Sequence, residues 1–205
     1  MKTTLYYIHD PMCSWCWGFT QSLNGLLENL PSEVEIKRIL GGLAPDSNTT
    51  MPQSMQQQIK SNWSRIEDTI SGIKFNYDFW SECTPRRSTY PACRAVLAAR
   101  RQGKKYDVLM TKAIQHAYYQ EARNPSDNST LVDLAQELNI SVAQFKNDLV
   151  SKAVDDELRK EINLSRELYA ESYPSLVIVS GEKIFTVKID YNDSETMLNQ
   201  INEFC

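Results

Sequence analysis

Two cysteines separated by two residues, set where a strand pattern gives way to a helix pattern, constrain this chain more than any other feature. They lie in Asp10-Pro11-Met12-Cys13-Ser14-Trp15-Cys16-Trp17. Ahead of them, Leu5-Tyr6-Tyr7-Ile8 combines aromatic and β-branched residues as a short strand does. Behind them, Phe19, Leu23, Leu26, Leu27 and Leu30 recur at i, i+4, i+7, i+8 and i+11, which predicts one face of a helix. Cys13 is therefore expected at a helix N-terminus. There the unpaired backbone N–H groups and the positive end of the helix dipole favour a thiolate over a thiol. The thiolate is the reactive form of cysteine, so this placement points to exchange with other disulfides.

A CxxC can also be half of a zinc site, but such a site needs a second ligand pair at similar spacing. This chain has no second CxxC, its histidines are His9 and His116, and Cys83, Cys93 and Cys205 stand singly. No metal is expected. A redox pair is favoured because strand–CxxC–helix is the context that such chemistry requires.

At 205 residues with 41% hydrophobic side chains, the chain can bury a sizeable core, in one large domain or two small ones. A net charge of -4 argues against a nucleic-acid surface, which needs clustered positive charge. The densest basic run, Arg100-Arg101 with Lys104-Lys105, falls at a predicted helix end, where solvated cations complement the dipole. No apolar run approaches membrane-spanning length. Met1-Lys2-Thr3-Thr4 leads straight into the first strand without an apolar leader, so the expected location is cytoplasmic. In that reducing compartment a CxxC is catalytic more often than structural, and a removed signal peptide would reverse the argument.

Taken in order, Pro31-Ser32 turns the chain into a half-buried strand, Val34-Glu35-Ile36-Lys37, which completes a β-α-β opening. Turn formers run from Gly41-Gly42 through Pro45 to Thr50. From Met51 to Tyr169 the pattern is helical. Ile59, Trp63, Ile66 and Ile70 form one stripe, and Phe75 to Trp80 is an aromatic cluster. Pro91 suits the first turn of a helix bearing Ala95, Val96 and Ala99, with Gly103 as its C′ residue. Val108 to Tyr119 is another helix, and Leu131, Leu134, Ala135 and Leu138 make the stripe of the next. Ser141 to Gln144 is a capping box, and Leu158, Ile162 and Tyr169 mark the last helix of the block. The period then changes. Tyr173-Pro174 breaks the helix, Leu176 to Val179 reads as a buried strand, and Phe185, Val187 and Ile189 alternate along its hairpin partner. Met197, Leu198 and Ile201 define a final helix. The β-α-β and β-β-α ends must share one four-stranded sheet, since a two-stranded piece is marginal in water.

The sequence resembles the DsbA-like branch of thioredoxin-fold oxidoreductases, in particular its FrnE-like and protein-disulfide-isomerase-like members. The match rests on Asp10-Pro11-Met12-Cys13-Ser14-Trp15-Cys16, on Tyr173-Pro174 heading a strand, and on Ala117 to Arg123 running through Ser126-Asp127 into Leu131. It implies an α/β thioredoxin fold with an all-helical domain inserted between the β-α-β and β-β-α halves. The discontinuous thioredoxin-like domain would take residues 1–48 and 170–205, and the insertion 49–169. Carried over residue by residue, Cys13 is the attacking thiol, Cys16 the resolving one, and Pro174 a cis-proline facing them. The Tyr173 backbone would then pair with an extended substrate, beside Ser14 and Trp15. The implied partners are protein or peptide thiols and disulfides. Glutathione or a thioredoxin-type reductant could supply electrons, and no bound cofactor is implied beyond the Cys13–Cys16 disulfide itself.

Relatives often bury an acidic residue six positions before the first cysteine, where this chain has Tyr7. Removing the proton of Cys16 would then fall to water, His9, Asp10 or a group of the insertion. His9 alone of the nearby side chains has an ordinary pKa near neutrality, although a solvated histidine at a strand end is the simpler expectation. Trp15 is expected in solvent, Trp17 in ordinary packing, and Cys83 and Cys93 as inert thiols rather than a second pair. Uncharged Ser14-Trp15 between the cysteines predicts a redox poise less oxidising than that of DsbA. Two alternatives stand beside the oxidoreductase. One is a glutathione-dependent transferase or isomerase of the kappa-class or hydroxychromene-carboxylate-isomerase type, which typically has serine where Cys13 stands. The other is a non-catalytic client-binding module.

Overall fold

The computed structural model describes residues 3–204. Met1-Lys2 and Cys205, the latter expected to be exposed, lie outside the described residues. Strands β1 (Thr3–His9) and β2 (Val34–Leu40) run parallel, from Thr3 opposite Val34 to His9 opposite Leu40. On the other side of β1 lies β3 (Ser175–Ser180), antiparallel, with β4 (Lys183–Val187) antiparallel to β3. The sheet order is β2-β1-β3-β4, so the C-terminal hairpin completes a sheet begun at the N-terminus. β1 is paired on both edges and buried over nearly its whole length, as its near-continuous apolar sequence requires.

Alternation still sorts the side chains of β1. Leu5 and Tyr7 face one way, into a cluster with Phe19, Leu23, Leu26, Leu176, Ile178, Met197 and Ile201. Ile8 faces the other way, with Ile39, Val177 and Leu168. The first face is covered by α1 (Ser14–Gly18), α2 (Thr20–Glu28) and α10 (Ser194–Asn202). Where periodicity predicts one continuous helix after the cysteines, the structure has two, meeting at Phe19. Thr20 Oγ1 donates to the Cys16 carbonyl (3.4 Å), a side-chain bond that competes with the helix ladder at this joint.

Between the two parts of the sheet runs the helical block: α3 (Gln53–Thr69), α4 (Phe79–Glu82), α5 (Tyr90–Arg100), α6 (Lys105–Gln120), α7 (Asn128–Glu137), α8 (Val142–Leu149) and α9 (Lys152–Glu167). Pro91 does sit in the first turn of α5. Ala92, Cys93 and Ala95 to Ala99 are all fully buried, so α5 is wrapped on every side rather than on one small-residue face. Its C-cap is Arg101, with Gly103 in the turn that follows. Trp63 is the hub of the aromatic cluster, stacked on Phe75 (4.8 Å) with Phe79, Trp80, Tyr118 and Tyr119 around it. Ser141 caps α8 by accepting the Gln144 N–H, as its capping box predicts. Met12 and Leu40 are buried in the same apolar cluster as this block, so the core of the block reaches the cysteine loop and the end of β2.

Three expectations are corrected here. Arg100 is not a solvated helix end: its guanidinium binds Asp107 (2.5 Å) and Glu161 of α9, because α9 returns over the end of α5. Tyr169 is no part of the α9 stripe. It lies past the helix end at φ 58 and is 74% exposed. β4 stops at Val187, short of Ile189, and is an edge strand with Ile184 and Phe185 exposed, the Phe185 ring packed on Phe204 (4.2 Å).

Candidate functional site

β1 ends at His9, and the next four residues turn back so that Cys13 becomes the N-cap of α1. Cys13 has an extended backbone (φ -81, ψ 117), and its N–H donates to the Asp10 carbonyl at 3.0 Å. The residue is 6% exposed, and its sulfur donates to the Tyr173 carbonyl at 3.3 Å. Cys16 lies one turn deeper and is wholly buried. Burial, and then the Cys13 sulfur beside it, push the Cys16 thiol well up, against a hydrogen bond from the Asp10 backbone N–H. Cys13 and Cys16 are both free thiols.

Across the sulfurs, the Tyr173–Pro174 peptide bond is cis and Pro174 is buried. Tyr173 is held by the loop after β2. Its hydroxyl donates to the Gly41 carbonyl (2.7 Å), and a Cβ on Gly41 would fall 2.0 Å from the Tyr173 ring, so only glycine admits this approach. The segment that presents a carbonyl to Cys13 is thereby fixed by residues 132 positions upstream.

Asp10 is fully buried and saturated with uncharged donors. Oδ1 accepts the Met12 N–H (2.8 Å), while Oδ2 accepts the Leu43 N–H (2.7 Å), Thr89 Oγ1 (2.6 Å) and Cys93 Sγ (3.4 Å). Burial raises its pKa and these donors oppose the rise. The cysteine loop, the loop after β2 and the start of α5 therefore meet on one carboxylate. His9 departs from expectation. It is not solvated but fully buried, stacked on Tyr7 (4.7 Å, 2° between planes), with no hydrogen-bond partner on either ring nitrogen among the described residues. Burial, with Arg38 and Arg100 opposing its charge, lowers its pKa to about 3.

Trp15 is half-buried rather than exposed. Its ring packs on Tyr191 (5.0 Å) and lies under the Arg65 guanidinium (5.2 Å). Trp17 packs as expected, stacked on Tyr119 (5.7 Å). Beside Cys13 opens a cavity of about 340 Å³ lined by Ser14, Trp15, Asn62, Arg86, Arg87 and Tyr173 among others. Ser14 and Tyr173, singled out by sequence, both line it. Asn62, Arg86, Arg87 and Thr89 come from the helical block, and no local pattern marked them. Arg86 is partly engaged by Asp127 (2.5 Å), and Arg87 is exposed. Cys83 and Cys93 are separate free thiols, Cys83 donating to the Ala122 carbonyl (2.9 Å) and Cys93 to Asp10. No three His, Cys, Asp or Glu side chains converge as a metal site among the described residues.

Residues 6–200 match the profile of a family described as thioredoxin. Among curated proteins, the ClpXP adapter protein SpxH of Halalkalibacterium halodurans is 26% identical over 177 residues, covering 84% of this chain and 57% of the relative. The chain thus spans less than two thirds of the length of that relative. Among solved structures, one described as a candidate protein disulfide isomerase from Nitrosomonas europaea superposes with a TM-score of 0.82 at 26% identity, over 99% of this chain and 97% of the other. The cytosolic disulfide reductase DsbM of Pseudomonas aeruginosa, solved with GSH, gives 0.72 at 20% identity over 98% and 95%. The last shows a shared fold.

Proposed function

The chain belongs to the thioredoxin family, and from that premise we propose that it is a thiol–disulfide oxidoreductase acting through Cys13 and Cys16 on disulfides or dithiols of proteins and peptides. One observation carries the reading. Cys13 caps a helix while its sulfur meets the carbonyl of Tyr173, so a reactive sulfur and a strand end able to pair with substrate backbone occupy one place. In the reducing direction, Cys13 thiolate attacks one sulfur of a substrate disulfide, and the other sulfur leaves as thiolate and is protonated by water. Cys16 then gives up its proton and attacks Cys13. The Cys13–Cys16 bond forms, the mixed disulfide breaks, and the substrate leaves with two electrons gained. The reverse sequence oxidises a dithiol.

The electron partner in this reading is a small thiol peptide such as glutathione. The cavity beside Cys13 has room for one, and Arg86 and Arg87 supply cations for its carboxylates. That a solved relative was obtained with GSH supports the same assignment. A second reading, favoured by the similarity to an adapter protein, is that the chain holds a protein partner without turnover.

Cys16→Ser separates these. For the oxidoreductase it lowers reduction of a peptide carrying an intramolecular disulfide by about 100-fold or more and accumulates a Cys13–peptide mixed disulfide. Full activity of this variant, or no disulfide turnover by the parent chain, would sink the proposal. Partner binding that persists in a Cys13→Ser, Cys16→Ser double variant would support the adapter reading instead.

A further inference from the structure

The chain carries more acid than base, 26 Asp and Glu against 22 Lys and Arg, and most of its arginines are covered by carboxylates. Arg94, Arg100, Arg101 and Arg123 each meet two or more. The cavity beside Cys13 breaks this pattern. Arg87 lines it, is exposed, and pairs with no carboxylate among the described residues. Arg65 reaches its edge from α3. The Arg65 guanidinium lies 5.2 Å from the centre of the Trp15 ring and donates to Asn62 Oδ1 at 3.2 Å, and Trp15 and Asn62 both line the cavity. Arg65 too is exposed and has no carboxylate partner among the described residues. Opposing charge is sparse here. Asp127 is engaged by Arg86, and Glu171 alone among the described lining residues is acidic.

We propose that Arg65 and Arg87 select substrates whose reactive disulfide is flanked by Asp or Glu, so that the preferred clients are acidic segments of proteins and peptides. A substrate sulfur that meets Cys13 brings its neighbouring residues to the cavity that Arg87 lines and Arg65 borders. Like-signed charges at the wall of a cleft concentrate their field there and raise the local concentration of anionic substrate. The Trp15 ring already holds the Arg65 head group beside the cysteines, so less side-chain freedom is lost when it pairs with a carboxylate. Charges on such a rim act on encounter more than on the sulfur chemistry, and salt screens them.

This inference rests on the oxidoreductase reading, and the experiment keeps the two apart. Two peptides carry the same intramolecular disulfide, one flanked by Glu and the other by Lys. Reduced protein is mixed with each in a single turnover. Two electrons and two protons pass from the Cys13 and Cys16 thiols to the peptide, which becomes a dithiol as the Cys13–Cys16 bond forms. Each rate constant is divided by that of the same peptide with dithiothreitol, which removes the effect of flanking charge on the disulfide itself. The acidic peptide should react about tenfold faster at an ionic strength of about 0.01 M, and within about twofold of the basic one at roughly 0.5 M. Replacing both arginines, Arg65→Gln with Arg87→Gln, should bring the low-salt ratio to about twofold or less, and Arg65→Glu with Arg87→Glu should invert it. Equal normalised rates in the parent chain, or a preference that the charge-reversed variant retains, overturn the proposal and leave the oxidoreductase intact. A parent chain that reduces neither peptide overturns both. Should the variants fail to fold, the salt series on the parent chain decides, and a ratio that salt does not move refutes the proposal.

Discussion

Asp10, fully buried, and Glu161, half-buried, are carboxylates that tie the helical block to a strand end, and they are held in opposite ways. Asp10 follows β1 and meets two backbone N–H groups, a hydroxyl and a thiol, with no cation in contact. Glu161 accepts the Leu40 N–H at the end of β2 (2.7 Å) and pairs with Arg100, which also holds Asp107. Burial pushes both acids upward; neutral hydrogen bonds oppose it at the first and the Arg100 charge at the second. The contrast locates where this fold tolerates a full counter-charge. At the end of β2, an ion cluster clamps α5 and α9 to the strand. Beside the thiols, dipoles do the same work, leaving no fixed cation in the cysteine loop itself.

The sharpest way to break that contrast is Arg100→Met, which leaves Asp107 and Glu161 without their cation. Removing one partner of a buried ion cluster costs roughly 3–5 kcal/mol. Urea unfolding should show a loss of that size with Cys13 reactivity unchanged. A loss confined to thiol chemistry would mean the two clusters are not independent.

Next in size is an acid limb set by His9, which adjoins Asp10 and feels Arg100. Its pKa falls from 6.5 to about 3 on folding, so between those values the unfolded chain binds a proton that the folded chain does not. Stability is therefore fully present above about 6.5 and drains away as pH falls toward 3, by on the order of 4 kcal/mol. His9→Phe should flatten this limb in unfolding curves taken across that range. An unaltered limb would place the acid sensitivity elsewhere.

Asp10→Asn has the smallest expected effect. It keeps one acceptor oxygen but turns an amide toward donors, at about 1–3 kcal/mol. Because the folded pKa of Asp10 is raised, the carboxylate weakens the fold as pH climbs from 3.8 through that raised value, and the amide should remove this dependence. Chemical unfolding of both variants would invert the comparison if Asp10→Asn proved the more damaging.

Much of the architecture was legible from local periodicity. The strand–CxxC–helix opening, the long helical stretch and the final hairpin each carry their pattern within a few residues, as the paired strands and the Ser141 cap bear out. Legibility failed where burial depends on a distant element. His9 looks like a solvated strand end until the Tyr7 ring stacks on it and the sheet closes over it. Trp15 looks exposed until Arg65 reaches it from α3 and Tyr191 from the segment before α10. Arg100 reads as a helix-end cation until α9 returns with Glu161.

By itself, then, the sequence determined the order of elements, the spacing of Cys13 and Cys16 by one helical turn, and the need for both chain ends to build one sheet. These follow from spacing and hydrophobic period, which act over a few residues. Only the tertiary structure decided what surrounds the sulfurs. Thr89 and Cys93 reach Asp10 across 79 and 83 positions, and Tyr173 reaches Gly41 across 132. Side-chain polarity reveals that such groups need partners, but which partners they find is settled by packing, because a hydrogen bond is satisfied by whatever the folded chain brings within its short reach.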